Sequence, residues 1–244
     1  MFSHLVLGIV QGLTEFLPVS SSGHLVLAQH LFGFTEVNPA FNVFVQGGTV
    51  ISVLFFFRQK LLHLSSKYLK LIIIASFPAA LAGLFLSQYI DMIFTSLWGV
   101  TLGFALTTII VLLSRRRPTN SQELRTKNSF LIGLSQAAAI LPGLSRSGST
   151  ITTSLLLGIS PSDAFAFSFL LSIPTITGAS LLSLRSIAWE NTMLTNYALG
   201  FFAATITGYL SLSILAKIIK KGKFYLFAPY TAGLTLLSLY LALS

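Results

Sequence analysis

The chain has 244 residues, 54% of them hydrophobic and only 9% charged, with a mean hydropathy of +0.83; soluble domains carry about 25% charged residues, so an ordinary water-soluble globule is excluded. The net charge of +9 comes from 15 Lys and Arg against 6 Asp and Glu, and 13 of the basic residues fall in three stretches, 58–70, 115–127 and 217–223. Basic clusters between apolar segments mark cytoplasmic loops, so the charge needs no nucleic acid to explain it, and the absence of cysteine rules out disulfides and thiolate metal sites.

In chain order, residues 1–30 read as a helical hairpin broken at Pro18–Gly23 and entering from outside. The apolar segments Asn38–Phe57, Leu69–Ile90 and Phe94–Ser114 follow, each close to the roughly 20 residues that cross a hydrocarbon core as helix. The region 128–160 is interrupted by Pro142, Gly143 and Gly148, which makes one straight spanning helix a poor fit. The flanking basic loops require it to start and finish on the cytoplasmic side, as a second re-entrant hairpin. Two full crossings in each broken stretch are the alternative, with half-segments that look short for it. Ala164–Leu184, Tyr197–Lys217 and Phe224–Leu243 complete the set.

The expected fold is therefore an all-α polytopic membrane protein: six transmembrane helices and two re-entrant hairpins in a single domain, 1–244. Runs such as "LKLIIIASFPAALAGLFL" lack the alternation of a β-barrel strand. A cleavable leader is not expected, because Gln11 and Glu15 would fall inside its apolar core.

The two broken segments echo one another. Gly8, Gln11, Ser22 and Gly23 recur 125 residues later as Gly133, Gln136, Ser147 and Gly148. Both carry Leu-Pro between these points ("EFLPVSSSG" and "AILPGLSRSG"), with the prolines one residue out of step. Entry from opposite sides makes this the pattern of an inverted repeat, with halves at about 1–114 and 128–244 and a site where the broken helices meet.

Glu15 and Arg146 are the charges inside the two breaks. Each costs about 2.5–3.5 kcal/mol at the centre of an inserting helix, and facing breaks allow both to share one polar cavity. The plainer alternative is a structural pair that pins two hairpins together. The surroundings are richer than a pin requires. In "PGLSRSGST" a planar guanidinium, suited to phosphate oxygens, is flanked by hydroxyls and by glycines that let backbone amides approach an anion. Ser20, Ser22, Ser145, Ser147 and Thr150 are the expected phosphate-binding hydroxyls. Small residues also serve close helix packing, but packing does not call for the arginine.

Gln11 and Glu15, one helical turn apart, share a face. They are too few for an all-protein cage, yet adequate for Mg²⁺ or Ca²⁺ that also binds substrate phosphates and water. The serines precede a helix start expected at Gly23–His24, where a hydroxyl caps or attacks, and His24 can act as general base or acid. Singly, these are caps and packing residues; jointly with Glu15 and Arg146 they point to catalysis. No P-loop, H-E-x-x-H or dinucleotide fingerprint occurs, and His4, His30 and His63 have no metal-ligand spacing.

At these two motifs a family resemblance becomes specific. "QGLTEFLPVSSSGHL" resembles the (E/Q)-x-x-x-E and following Ser/His stretch of the bacterial undecaprenyl-diphosphatases, the bacitracin-resistance family. "PGLSRSGST" resembles that family's P-G-x-S-R-S-x-x-T motif. "FNVFVQGG" at 41–48, "FSFLLSIPT" at 167–175 and the tail "GKFYLFAPYTAG" at 222–233 extend the likeness essentially end to end.

The resemblance implies a phosphatase of the bacterial inner membrane that removes the terminal phosphate of a long polyprenyl diphosphate, regenerating the monophosphate carrier for peptidoglycan synthesis with the help of a divalent cation. It also implies re-entrant hairpins in inverted repeats. It carries the family's metal-associated acid to Glu15, with Gln11 where the pattern allows Glu or Gln, and its serine, histidine and arginine to Ser21, His24 and Arg146. Gln at position 11 leaves one fewer negative metal ligand. The expected partners are the polyprenyl diphosphate and surrounding lipids, with a homodimer left open and no nucleic acid. A membrane transporter or polyprenyl-phosphate flippase is the reading from a different class, because broken helices in inverted repeats are typical of secondary transporters.

Overall fold

The computed structural model describes residues 2–32, 39–94, 96–118, 122–183 and 194–243. In chain order its helices are α1 (Phe2–Phe16), α2 (Ser21–Phe32), α3 (Pro39–Phe56), α4 (Arg58–Leu62), α5 (Ser66–Phe94), α6 (Leu97–Leu113), α7 (Thr126–Ala138), α8 (Arg146–Leu156), α9 (Pro161–Ser183), α10 (Leu194–Lys220) and α11 (Ala228–Leu243). Short 3₁₀ turns at Ser114–Arg116 and Phe224–Phe227 follow α6 and precede α11. Among the described residues five segments are long and apolar enough to span a membrane: Ser66–Phe85, Leu97–Arg116, Pro161–Ser183, Thr195–Lys220 and Phe224–Leu243. The apolar part of α3, Ala40–Phe56, is shorter. The fold is an all-α polytopic membrane protein.

Several expected boundaries move. The second helix of the first hairpin starts at Ser21, not at Gly23–His24, because Ser20 reverses the chain and caps it. Gly148 does not interrupt the second hairpin; it lies in the first turn of α8, and the break is 139–145. The short helix α4 was not expected. Asn38, Leu184 and the Arg185–Glu190 loop lie outside the described residues.

Close backbone approaches set the direction of each hairpin. Along α1, Gly8 faces Gly200 and Gly12 faces Ala204, so α1 runs parallel to α10. Ser211 donates to the Leu13 carbonyl at 2.8 Å further along the same seam. Gly133 on α7 abuts the backbone of Ala75 on α5. At each glycine a Cβ would lie within 2.5 Å of a carbonyl oxygen on the other helix, nearer than any side chain tolerates.

The three basic stretches gather at one end of the bundle. Lys60 lies 4.0 Å from Asp163 in the first turn of α9. The Arg115 guanidinium sits over the Tyr225 ring at 4.9 Å, and Gln122 bridges to Ile159. The opposite end holds the start of α1, where His4 packs edge-on against Phe41 at 4.9 Å and near Tyr197. Hairpin α1–α2 thus enters from one end and α7–α8 from the other. Between them a core of Phe16, Ile132, Ile151, Phe165, Phe167, Phe169 and Leu212 packs both hairpins against α9 and α10. Large apolar residues such as Ile73 and Phe77 on α5 and Leu236 and Tyr240 on α11 face outward, as lipid-facing surfaces require.

Candidate active site

The site is built by two chain reversals capped in the same way. In the first, α1 stops before Pro18, which cannot donate to a continuing helix. Ser20 then adopts φ +65° while buried, a left-handed conformation uncommon for a residue other than glycine. Its Oγ accepts from the Gly23 amide at 3.3 Å and sits 3.2 Å from Ser22 Oγ.

In the second reversal Gly143 takes the left-handed turn, at φ +80°. A Cβ there would meet the Val100 carbonyl at 2.4 Å, so the turn lies directly on α6. Thr107 locks it, donating to the Gly143 carbonyl at 2.9 Å and accepting from the Ser145 amide at 2.8 Å. Ser145 Oγ then accepts from the Gly148 amide at 3.0 Å and sits 3.2 Å from Ser147 Oγ.

With the caps at Ser20 and Ser145, Ser21 and Arg146 become the first residues of α2 and α8. Both reach the same carboxylate. Ser21 donates to Glu15 Oε2 at 2.6 Å, and Arg146 Nη2 donates to Glu15 Oε1 at 2.5 Å. Gln11, one turn earlier on α1, donates from Nε2 to Glu15 Oε2 at 2.9 Å. The Glu15 and Arg146 side chains are 11% and 15% exposed, so this is a largely buried ion pair. The breaks also touch directly: Ser147 Oγ donates to the Leu17 carbonyl at 3.1 Å, and Pro18 packs over Gly148. The other guanidinium nitrogen, Arg146 Nη1, is buried without a protein partner, as is Ser149 Oγ.

His24 faces elsewhere. Its Nδ1 lies 2.7 Å from the Ser20 carbonyl and its Nε2 lies 2.8 Å from the Tyr230 hydroxyl on α11. A carbonyl can only accept, so Nδ1 carries a proton and, in the neutral ring, Nε2 accepts from Tyr230. No hydrogen bond joins His24 to Ser21 or Glu15.

The structure thus brings Gln11, Glu15, Ser21 and Arg146 together, with His24 at their edge. The hydroxyls of Ser20 and Ser145 serve as helix caps, and Ser22 is paired with Ser20. Ser147 is given to Leu17, and Thr150 is held by the Arg146 carbonyl at 2.9 Å and Ser168 Oγ at 2.6 Å.

Thr107, Ser168 and Tyr230 were absent from the sequence-derived site. Tyr230 lies inside a matching tail segment, but nothing local to it signals contact with a histidine 206 residues away. In the second hairpin Ile140 stands where the first has Glu15, and the buried amide of Gln136, which echoes Gln11, has no protein partner. The acid chemistry therefore belongs to the first hairpin and the cationic chemistry to the second.

Residues 4–237 match the sequence profile of the family described as bacitracin resistance protein BacA. The protein named undecaprenyl-diphosphatase of Carboxydothermus hydrogenoformans is 42% identical over 255 residues, covering 98% of this chain and 97% of the relative. The undecaprenyl-diphosphatase of Desulfosudis oleivorans is 41% identical over 254 residues, 93% of each chain. That of Korarchaeum cryptofilum is 36% identical over 257 residues, covering 96% of this chain and 97% of the relative. The match runs through both capped breaks and through the helices that brace them, and the chain belongs to the bacitracin resistance protein BacA family.

Proposed function

We propose that this protein is an undecaprenyl-diphosphatase, hydrolysing undecaprenyl diphosphate to undecaprenyl phosphate and inorganic phosphate. The observation that carries the reading is Arg146. Its Nη2 is given to Glu15, the carboxylate that also accepts from Ser21, while Nη1 is buried without a protein partner. A planar fork with a spare donor in a low-dielectric site is suited to a phosphoryl group. Nothing in the site favours a transporter over a hydrolase.

The geometry supports Glu15, rather than His24, as the group that receives the Ser21 proton, since Ser21 already donates to it at 2.6 Å. Ser21 Oγ attacks the terminal phosphorus, and its proton passes to Glu15 Oε2 and on to the departing lipid monophosphate as the phosphorus–bridging-oxygen bond breaks. Water, giving a proton to Glu15, then cleaves the phosphoserine to inorganic phosphate, and the serine oxygen takes the proton back. Arg146 neutralises charge on the transferred phosphoryl, and most of the acceleration is electrostatic positioning. The prenyl tail lies among the apolar helices.

A divalent cation belongs to the same proposal. Among the described residues no cluster of three or more His, Asp or Glu could hold one. Glu15 and the side-chain oxygen of Gln11 would hold Mg²⁺ or Ca²⁺ bound largely by substrate oxygens and water, the carboxylate sharing the cation with the Gln11, Ser21 and Arg146 donors that it already accepts. When bound, the cation supplies positive charge to the diphosphate. The inverted-repeat halves, about 1–114 and 128–244, are supported by matched caps at Ser20 and Ser145 and matched close approaches at Gly8 and Gly133, as befits a site formed between broken helices. Residence in the bacterial inner membrane completes the proposal, and fractionation tests it; a homodimer is left open, for cross-linking in native membranes to decide.

The decisive experiment measures phosphate release from a long-chain prenyl diphosphate by the purified protein, with Mg²⁺, with Ca²⁺ and after chelation. Cation-dependent release is expected. Movement of intact substrate across a proteoliposome membrane without release would replace this reading with a carrier. A burst of phosphoserine in rapid-quench work, lost in Ser21→Ala, is expected from the covalent route; its absence with turnover retained would leave direct attack by water.

A further inference from the structure

We propose that Tyr230 is the positioning residue of His24, an assignment that rests on the phosphatase reading above for its kinetic consequence but not for its geometry. His24 is held on every polar side. The Ser20 carbonyl takes Nδ1–H at 2.7 Å, and the Tyr230 hydroxyl reaches Nε2 at 2.8 Å. The Tyr230 ring lies nearly parallel to the imidazole, at 13° and 5.7 Å between centroids, while Phe104 stands edge-on to it at 5.8 Å. Phe104 also packs where Gly23 leaves room.

The imidazole is therefore oriented by α6 and α11, two helices that supply no side chain to the Glu15 cluster. Which ring nitrogen carries the proton is set by the hydrogen bond its partner makes. Here the carbonyl of the left-handed Ser20 selects Nδ1–H, and Tyr230 O–H selects the lone pair of Nε2. Tyr230 itself is 52% exposed, so the pair sits at the rim of the site. There it holds the imidazole in one tautomer, with its nitrogens turned to Ser20 and Tyr230 and not to the Ser21–Glu15 contact. With both ring nitrogens engaged, the imidazole does not compete with Glu15 for the serine proton.

Tyr230→Phe removes only the hydroxyl and keeps the ring. It is expected to lower kcat about fivefold, the rate equivalent of one neutral hydrogen bond, with KM within twofold of the parent. In a His24→Ala background it should have no further effect, because its action passes through the imidazole. Independent, additive losses, or full activity in Tyr230→Phe, would overturn the assignment.

Ring ¹⁵N resonances of His24 in the intact wild-type protein, identified by their loss in His24→Ala, test the geometry with no turnover needed. The Nδ1–H tautomer is expected, and an Nε2–H tautomer would overturn the proposal even if the tyrosine variant failed to fold. If the protein releases no phosphate but the His24 Nε2 resonance shifts in Tyr230→Phe, the functional reading fails while the positioning stands; an unshifted Nε2 resonance in the folded variant would overturn the positioning.

Discussion

Glu15 receives donors from three different places: an amide one turn back on its own helix, a hydroxyl across the first break and a guanidinium from the other hairpin. A carboxylate so held cannot lose one charged partner cheaply. Truncating one member of a buried ion pair costs about 3–5 kcal/mol. Arg146→Ala is therefore expected to destabilise the detergent-solubilised protein by that order, and Glu15→Gln combined with Arg146→Ala by less than the sum of the two. Thermal unfolding of the four-member mutant cycle checks this; additive losses would show that the pair is not coupled. Glu15→Gln should lower kcat by about 10²–10⁴-fold, the range for a lost general base, measured as phosphate release per folded molecule. At this scale the residue types were legible in the two motifs. Their partnerships were not. The stretch "SSSGH" leaves open what each side chain bonds to; in the folded chain the serine is bonded to Glu15 and the histidine to Tyr230.

The helices themselves follow from short-range rules, and so do their failures. The six apolar segments appear as α3, α5, α6, α9, α10 and α11, with ends shifted by a few residues. Both breaks fall beside a proline, at Pro18 and Pro142. Gly148 misled because a glycine in an apolar segment reads as an interruption, whereas here it is the residue whose amide Ser145 caps. Ser145→Ala should cost about 0.5–2 kcal/mol for the lost cap. The glycines that matter for packing can be separated by substitution. A Cβ at Gly133 would meet the Ala75 carbonyl at 2.4 Å, and one at Gly8 the Gly200 carbonyl at 2.5 Å, whereas one at Gly83 meets nothing within 4 Å. Gly133→Ala and Gly8→Ala are expected to destabilise by about 1–3 kcal/mol, as overpacking does. Gly83→Ala should gain about 0.5–1 kcal/mol from its helix position. Thermal unfolding of the three single variants distinguishes them, and a stable Gly133→Ala would remove the tight α5–α7 seam.

Across the whole molecule, the charge distribution sets the orientation, with the basic stretches at the end of the bundle where α9 begins. The chain has no cysteine, so single cysteines can be placed without background. His63→Cys and Lys221→Cys, both at exposed positions, should be labelled by an impermeant maleimide only from the cytoplasmic side of native membranes, and Thr195→Cys only from the outer side. The reverse pattern would invert the topology. The sequence by itself determined the membrane class, the apolar segments, the two breaks and the residues of the acid and guanidinium motifs, because each is written in a window of a few to about 20 residues. Tertiary structure alone decided which side chains meet. In a helix each residue turns the next by about 100°, so starting α2 at Ser21 in place of Gly23 changes which serine caps and which faces Glu15. The second ring nitrogen of His24 found its partner only when α11, near the far end of the chain, packed against α6 and brought Tyr230 alongside.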